Sequence, residues 1–415
     1  KITIPTDASD TEPYWLSNPH KGKDMFYIPN DSLLGLPETP AELNATIHLK
    51  IGGADFAVQA PLSYKKLDPV KGDVVEQLRI VPDATIAFNS GVYVGHPDGS
   101  GFVDIRIHAY KEINKGSLLI AGMQRGAGSF TTGLHFAEGT DTIINVRVFP
   151  TVPDKTTRAD LPFTVSLNDE NGRTFAQTQH LIQYNHLPTL QYFTNAEVKT
   201  LRADWKCTAK KIGYIEGAGD LVPAFLRQAG LEVDVLKESD LTSAAKLKKY
   251  DAIVTGIRAV NVEKRMAYWL PVLFEYAKNG GTLVMQYNTL QDMATTKIGP
   301  YPITLSDKRV TEEDAKVSFV DPQSRILNYP NKITDADFSD WVQERGLYFA
   351  SKWDDHYKPV FSMHDEGEDP LTGSTLYTKY GTGNFIYTSL SFSRQLPAGN
   401  KGAIKLFMNM LSVGK

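Results

Sequence analysis

The sequence predicts a multidomain chain in which two all-β sandwich modules, over residues 1–82 and 83–194, precede an α/β doubly wound, flavodoxin-like domain over residues 195–415. Three observations carry this expectation. Short period-two stretches such as Thr46-Ile47-His48-Leu49-Lys50-Ile51 and Phe102-Val103-Asp104-Ile105-Arg106-Ile107 recur through the first half, separated by Gly, Pro and Asp. From Ile212 onward, short apolar runs alternate with segments of helical length. At 415 residues the chain is also longer than one hydrophobic core ordinarily serves.

Each segment follows from its residues. In 1–82, Pro29, Pro37, Pro40, Pro61 and Pro69 break any helix and leave short strands. In 83–194, the stretches Phe102 to Ile107, Ile143 to Phe149 and Phe163 to Leu167 alternate with period two. Asn168-Asp169-Glu170-Asn171-Gly172-Arg173 is a hairpin turn between two strands. Strand after strand at this spacing predicts an immunoglobulin-like sandwich. A polar entry segment, 195–211, then leads into the strand Ile212 to Ile215 and a helix from Asp220 to Leu226. Strands at Val233 to Leu236 and Asp251 to Thr255 come next, followed by a helix from Val262 to Lys278 that Gly280-Gly281 closes, and the strand Thr282 to Gln286. Residues Thr375 to Phe392 read as strand and Asn400 to Leu411 as an amphipathic helix. Right-handed crossovers between such strands build a parallel sheet.

Composition narrows the function classes. Apolar residues make up 41% and charged residues 22%, as in a globular protein. A formal net charge of -4 with dispersed lysines offers nucleic acid no basic face. No apolar run is long enough to span a membrane. The single Cys207 excludes an internal disulfide framework and a cysteine-based zinc site. The chain opens on Lys1 with no leader-like segment, which reads as a processed chain or a piece of a longer one.

Several segments could carry chemistry. His96-Pro97-Asp98 is part of a zinc-ligand pattern, but Gly99 stands in fourth place and no His-x-x-His pair occurs among the nine histidines. Between two period-two segments, Pro97-Asp98-Gly99 reads as a turn. Glu216-Gly217-Ala218-Gly219-Asp220 lies at a strand-to-helix junction, where backbone N–H groups can hold an anion. Asp220 would repel a phosphate there and cap the helix well, so the cap is the favoured reading. After the strand Thr282 to Gln286, Tyr287-Asn288-Thr289 offers no cysteine, serine or flanking glycine for a nucleophile elbow. Cys207 comes before the first strand of this domain and cannot replace it. What remains is a polar rim, Glu216, Arg258, Gln286 and Asn288, at the carboxyl edge where open α/β sheets take ligands. The same residues also read as loop anchors. The acidic stretches Trp353-Asp354-Asp355-His356 and His364 to Asp369 match no calcium-loop spacing and read as solvated loops. In Ser393 to Gly399, Arg394 can clamp a carboxylate or pair with an acid, with Gln395 beside it. The candidate ligand-binding residues are therefore Glu216, Asp220, Arg258, Gln286, Asn288, Arg394 and Gln395. No catalytic residue, metal ligand or cofactor is predicted.

Five blocks carry a resemblance: Tyr214 to Asp220, Val254 to Ala259, Gln286-Tyr287-Asn288, Glu344-Arg345-Gly346-Leu347-Tyr348, and Ile386 to Gly399. They resemble the C-terminal region of large bacterial PIG-L (LmbE-like) deacetylases, and the frame of 195–415 resembles a glutamine-amidotransferase-like domain without its cysteine. Glu12-Pro13-Tyr14-Trp15-Leu16 and Tyr64 to Gly72 are similar to the middle of those proteins. The resemblance implies that a zinc-dependent deacetylase domain acting on N-acetylglucosamine-type sugars precedes these segments. It also implies a periplasmic or extracytoplasmic location. The family's zinc motif has no counterpart here, so its catalytic residues are not carried over.

The expectation is a noncatalytic accessory region whose partner is a glycan or an N-terminal deacetylase domain. One rival is an independent enzyme in which Glu216, Arg258 and the acidic 354–368 segment converge. Another is a stand-alone carbohydrate-binding protein with Trp15, Tyr93 and Trp353 along one groove.

Overall fold

The computed structural model describes residues 4, 8–18, 26–41, 43–95, 101–122, 130–148 and 162–415. The chain is mostly β and divides into two compact units, 1–89 with 99–198 and 90–98 with 199–415. The three-part division expected from the sequence thus becomes two, with residues 90–98 counted in the second unit. Val92–Gly95 runs parallel to Lys199–Arg202 within that unit, which explains the grouping.

In the first unit, Gly101–Ala109 lies between Asp141–Val148 and Ala84–Phe88 in an antiparallel sheet. A second antiparallel set joins Phe163–Asn168 to Ile113–Ala121, and the latter to Phe130–Phe136. Period-two alternation works as predicted in Gly101–Ala109. Val103, Ile105 and Ile107 are buried while Phe102, Asp104 and Arg106 are exposed. Each buried branched side chain contributes about 1.5–3 kcal/mol by leaving water. The turn after Phe163–Asn168 forms as expected, because the Asp169 carboxylate accepts from the N–H groups of Asn171 at 2.9 Å and Arg173 at 2.8 Å. The unit is β-rich and sandwich-like.

Residues 1–82 differ from the module expected there. Their described strands form two separate hairpins, Asn44–Ile51 with Ala54–Pro61 and Ser63–Asp68 with Gly72–Gln77. Only Pro13 and Tyr14 are buried among the described residues of this stretch. Alternation along a strand makes a sandwich only when a second sheet covers the apolar face, and here each hairpin pairs only with itself.

The second unit is organised by one sheet of β1 (Lys211–Ile215), β2 (Glu232–Val235), β3 (Ala252–Thr255), β4 (Thr282–Gln286), β5 (Lys358–Pro359), β6 (Thr375–Tyr380) and β7 (Gly383–Thr388). Its order is β2-β1-β3-β4-β7-β6-β5; the first five strands are parallel, β6 runs antiparallel to β7, and β5 pairs antiparallel with β6. The helices α1 (Val222–Gln228), α2 (Met266–Lys278) and α3 (Lys401–Ser412) cover it. Ile212, Tyr214, Val254, Val284 and Ile386 pack in a core with α1 and α3, while Ile253, Leu283, Met285, Phe385 and Tyr387 pack in another with α2. Alternate residues of the same strands thus feed two cores, so the strands read as nearly continuous apolar runs.

Two expected elements change. The helix from Val262 to Lys278 is two helices, Ala259–Val262 and α2, because Glu263 is extended and its carboxylate accepts the Arg265 N–H at 2.7 Å. The strand expected to reach Phe392 stops at Thr388, and Phe392–Gln395 is helical. Between β4 and β6, where local patterning indicates no element, the chain makes two further small sheets, Ile303–Leu305 with Ala350–Trp353 and Val317–Phe319 with Phe361–Met363.

A buried polar latch fixes α3. The Asn409 Oδ1 accepts from the Asn331 N–H at 2.9 Å, and its Nδ2 donates to the Ile326 and Asn331 carbonyls at 2.8 Å each. Among the described residues, no helix is long and apolar enough to cross a membrane.

Candidate functional site

The sheet order reverses between β1 and β3, where a crevice ordinarily opens beyond the strand ends. Here the crevice is filled by the chain itself. Ala218 N–H donates to the Ile257 carbonyl at 2.8 Å, which ties the loop after β1 to the loop after β3. A Cβ on Gly217 would stand 2.0 Å from that carbonyl oxygen, so only glycine permits the approach. The Asp220 carboxylate accepts from the Tyr214 hydroxyl at 2.6 and 2.7 Å, from Val222 N–H at 3.0 Å and from Ile257 N–H at 3.3 Å. It therefore holds the start of α1 and the neighbouring loop, with its own negative charge where an anion from outside would have to sit. Burial, followed by the Asp220 charge, pushes the Tyr214 hydroxyl far above its ordinary value and keeps it a donor.

Three more candidates face inward. Gln286, Asn288 and Gln395 are 0% exposed. Asn288 accepts from Val260 N–H at 2.9 Å and donates to the Gln286 carbonyl at 3.1 Å. Gln395 accepts from Val342 N–H at 3.0 Å and donates to the Val342 carbonyl at 2.8 Å. Gln286 donates to the Thr255 carbonyl at 3.2 Å, and its Oε1 has no hydrogen-bond partner among the described residues. Four of the seven predicted ligand residues, Asp220 included, thus hold the fold together.

Glu216, Arg258 and Arg394 are exposed. Arg258 and Arg394 both act electrostatically on Tyr287, the residue that follows β4. Arg258 donates its N–H to the Tyr287 carbonyl at 2.8 Å from a left-handed backbone with φ of 57°. The Tyr348 ring stacks on Tyr287 with centroids 6.0 Å apart and planes 17° from parallel, and its φ is also 57°. Tyr387 pins Tyr348 by donating to its carbonyl at 2.9 Å. Arg394 Nε donates to Glu344 Oε1 at 2.8 Å and its Nη1 to Gln343 Oε1, with Gln343 at φ of 68°. Burial raises the Tyr287 pKa, with Arg394 opposing the rise. Non-glycine residues in this backbone region cost about 1–3 kcal/mol each, and such strain gathers where surrounding structure holds a surface in one shape. Tyr287 and Glu344 are each 8% exposed and Tyr348 is half-buried, so the groups open to a ligand are chiefly the Arg258 and Arg394 guanidinium groups, which suit one rich in oxygen.

Sequence reasoning missed Gln343, Glu344, Tyr287 and Tyr348 as site residues. The signal that pointed toward them was the block Glu344-Arg345-Gly346-Leu347-Tyr348, but nothing in the chain order places it beside Tyr287. Gly346 makes this possible, since a Cβ there would come within 2.4 Å of the Ser389 carbonyl oxygen.

The other candidates are placed as follows. Among the described residues, no hydrogen bond or ion pair joins Glu216 or Arg258 to the 354–368 segment: Asp354 bonds His356 at 2.5 Å, and Asp365 accepts from Thr311 and Glu312 at 2.9 Å. Cys207 packs against α3, 3.5 Å from the Ser412 hydroxyl, and burial pushes its thiol up. Preceding β1, it belongs at the amino ends of the parallel strands, opposite the Tyr287 edge. His96-Pro97-Asp98 lies outside the described residues. Tyr93, expected on an exposed groove with Trp15 and Trp353, is instead buried, at 3% exposure in a strand that packs into the core of its unit. No group of three or more His, Cys, Asp or Glu among the described residues is arranged to hold a metal.

No protein-family model matches the chain, and no curated protein sequence matches it. Among solved structures, the chain is similar over 50% of its length to a protein described as part of a GMP synthase from Thermoplasma acidophilum, at 10% identity and a TM-score of 0.34, covering 96% of that protein. It is also similar to an exo-β-1,4-mannosidase from Opitutaceae bacterium strain TAV5, at 13% identity and a TM-score of 0.29, covering 49% of this chain and 35% of that one. A cold-adapted β-galactosidase from Rahnella sp. R3 matches at 12% identity and a TM-score of 0.27, covering 48% of this chain and 31% of the enzyme.

Proposed function

We propose that the chain is a noncatalytic accessory region of a PIG-L-type N-acetyl-sugar deacetylase, acting in an extracytoplasmic compartment to bind a ligand and position the enzyme. In this reading the second unit is a doubly wound, amidotransferase-like frame that has lost its nucleophile, and the first carries an immunoglobulin-like sandwich. The observation that supports it is the end of β4. A nucleophile elbow would project a cysteine or serine there; this chain has Tyr287, followed by Asn288 turned inward to bond Val260 N–H. The exposed Arg258 and Arg394, backed by the half-buried Tyr348 and the buried Tyr287 and Glu344, then form a binding surface and not a reaction centre. The test is to incubate the purified chain with zinc and N-acetylglucosamine oligomers and to measure acetate. No release above buffer is expected, and metal-dependent release would refute the proposal.

A further inference from the structure

We propose that the first unit carries a binding site of its own, for a neutral oligosaccharide, in the cavity bounded by residues 11–15, the hairpin Ser63–Asp68 with Gly72–Gln77, and the loop 183–191. It adds a ligand class to the noncatalytic reading and rests on that reading only in treating the chain as a binder. The cavity holds about 720 Å³, inside the range of about 300–1,000 Å³ typical of small-molecule sites.

Its lining selects the ligand. Three carboxylates, Glu12, Glu38 and Glu76, face three cations, Lys66, Lys71 and Arg79. Their formal charges cancel, so the cavity neither attracts nor repels a charged ligand as a whole. The carboxylates are acceptors and the cations donors, and a sugar hydroxyl can serve both. Trp15 and Tyr184 supply aromatic rings to the same cavity, and a ring face suits the C–H face of a sugar. A partner with strong charge of either sign would find half of these groups repulsive.

The walls are prearranged. Gln191 donates to the Thr11 carbonyl at 3.1 Å and the Ile80 carbonyl at 3.0 Å, fixing the floor. Glu76 is held by the Tyr64 hydroxyl at 2.5 Å and the Lys66 ammonium at 2.7 Å. Lys71 donates to Asn185 Oδ1 at 2.9 Å, which ties the hairpin to the 183–191 loop across the rim. Glu12 accepts the Phe193 N–H at 2.5 Å. Polar groups held this way lose little further freedom when a ligand arrives.

The test is calorimetry on the whole chain with three probes of equal length: triacetylchitotriose, which is neutral, chitotriose, with three free amino groups, and trigalacturonate, with three carboxylates. The neutral trimer should bind, with each charged trimer at least about tenfold weaker. Tyr184→Ala should weaken the neutral trimer about tenfold. Tyr184 is 63% exposed, so this variant tests contact and not folding. Absence of heat with the neutral trimer, equal binding of a charged one, or an unchanged Tyr184→Ala variant would each overturn the proposal. Acetate release is read separately: its appearance would remove the noncatalytic reading and leave the cavity standing, and loss of the neutral preference would do the reverse.

Discussion

Replacing Asn409 by leucine tests the polar latch under α3 while keeping the same branched heavy-atom skeleton. Asn409 is fully buried and joins three main-chain groups, the Asn331 N–H, the Asn331 carbonyl and the Ile326 carbonyl, at 2.8 to 2.9 Å. Leucine removes the partner of all three and introduces no cavity of comparable size. A buried main-chain group left unpaired costs about 1–3 kcal/mol. With some relaxation toward neighbours, the sum is about 4 kcal/mol, a large share of the roughly 5–15 kcal/mol that holds a domain folded. Urea unfolding followed by tryptophan fluorescence reads this directly. Of the five tryptophans, Trp205, Trp269, Trp341 and Trp353 belong to the second unit, so its transition dominates the signal. Asn409→Leu should move that transition to clearly lower urea. A loss under about 1 kcal/mol would refute the claim that these groups have no other partner.

Two further outcomes are expected. Gly217→Ala should destabilise the second unit by about 3 kcal/mol, since its Cβ would meet a main-chain oxygen at 2.0 Å. Gly219→Ala, with φ of +90° but open space around it, should cost only about 1–2 kcal/mol; equal costs in thermal melts would mean that the loops after β1 and β3 are not in contact. Burial lowers the pKa of His180, which stacks on Tyr192 with centroids 4.5 Å apart. The unfolded chain therefore takes up this proton first, and its contribution to stability, complete above the ordinary value of about 6.5, declines as pH falls toward the lowered one. Denaturation of wild type and His180→Gln at neutral and mildly acidic pH should show a smaller acid loss in the variant; identical slopes would count against it.

Much of the second unit was legible because its signals are local. Ile212 to Ile215, Thr282 to Gln286 and the Asn400-capped last helix appear within a residue or so of their expected limits, since apolar runs, Gly280 and an Asn cap act over one or two turns of chain. The same holds for the Asp169 turn. Residues 1–82 show the limit of such reading. Period-two alternation in Thr46 to Ile51 correctly marks a strand, but it carries no information on whether another sheet will cover it.

The candidate site divides along the same line. The chain's order and residue types were enough to say that no cysteine or serine follows β4 and that Asp220 stands at the start of a helix, although the cap position itself falls to Leu221 and Asp220 bonds Val222 N–H from one residue earlier. That Gln286, Asn288 and Gln395 are internal braces was decided only by the tertiary structure. A polar side chain's partners, such as Val260 for Asn288 or Val342 for Gln395, lie 28 and 53 residues away. The Tyr287–Tyr348 stack is of the same kind, two rings from distant parts of the chain brought together by a glycine that lets one strand end press against another. Local spacing sets which groups a segment offers; long-range packing sets which of them remain free to meet a ligand.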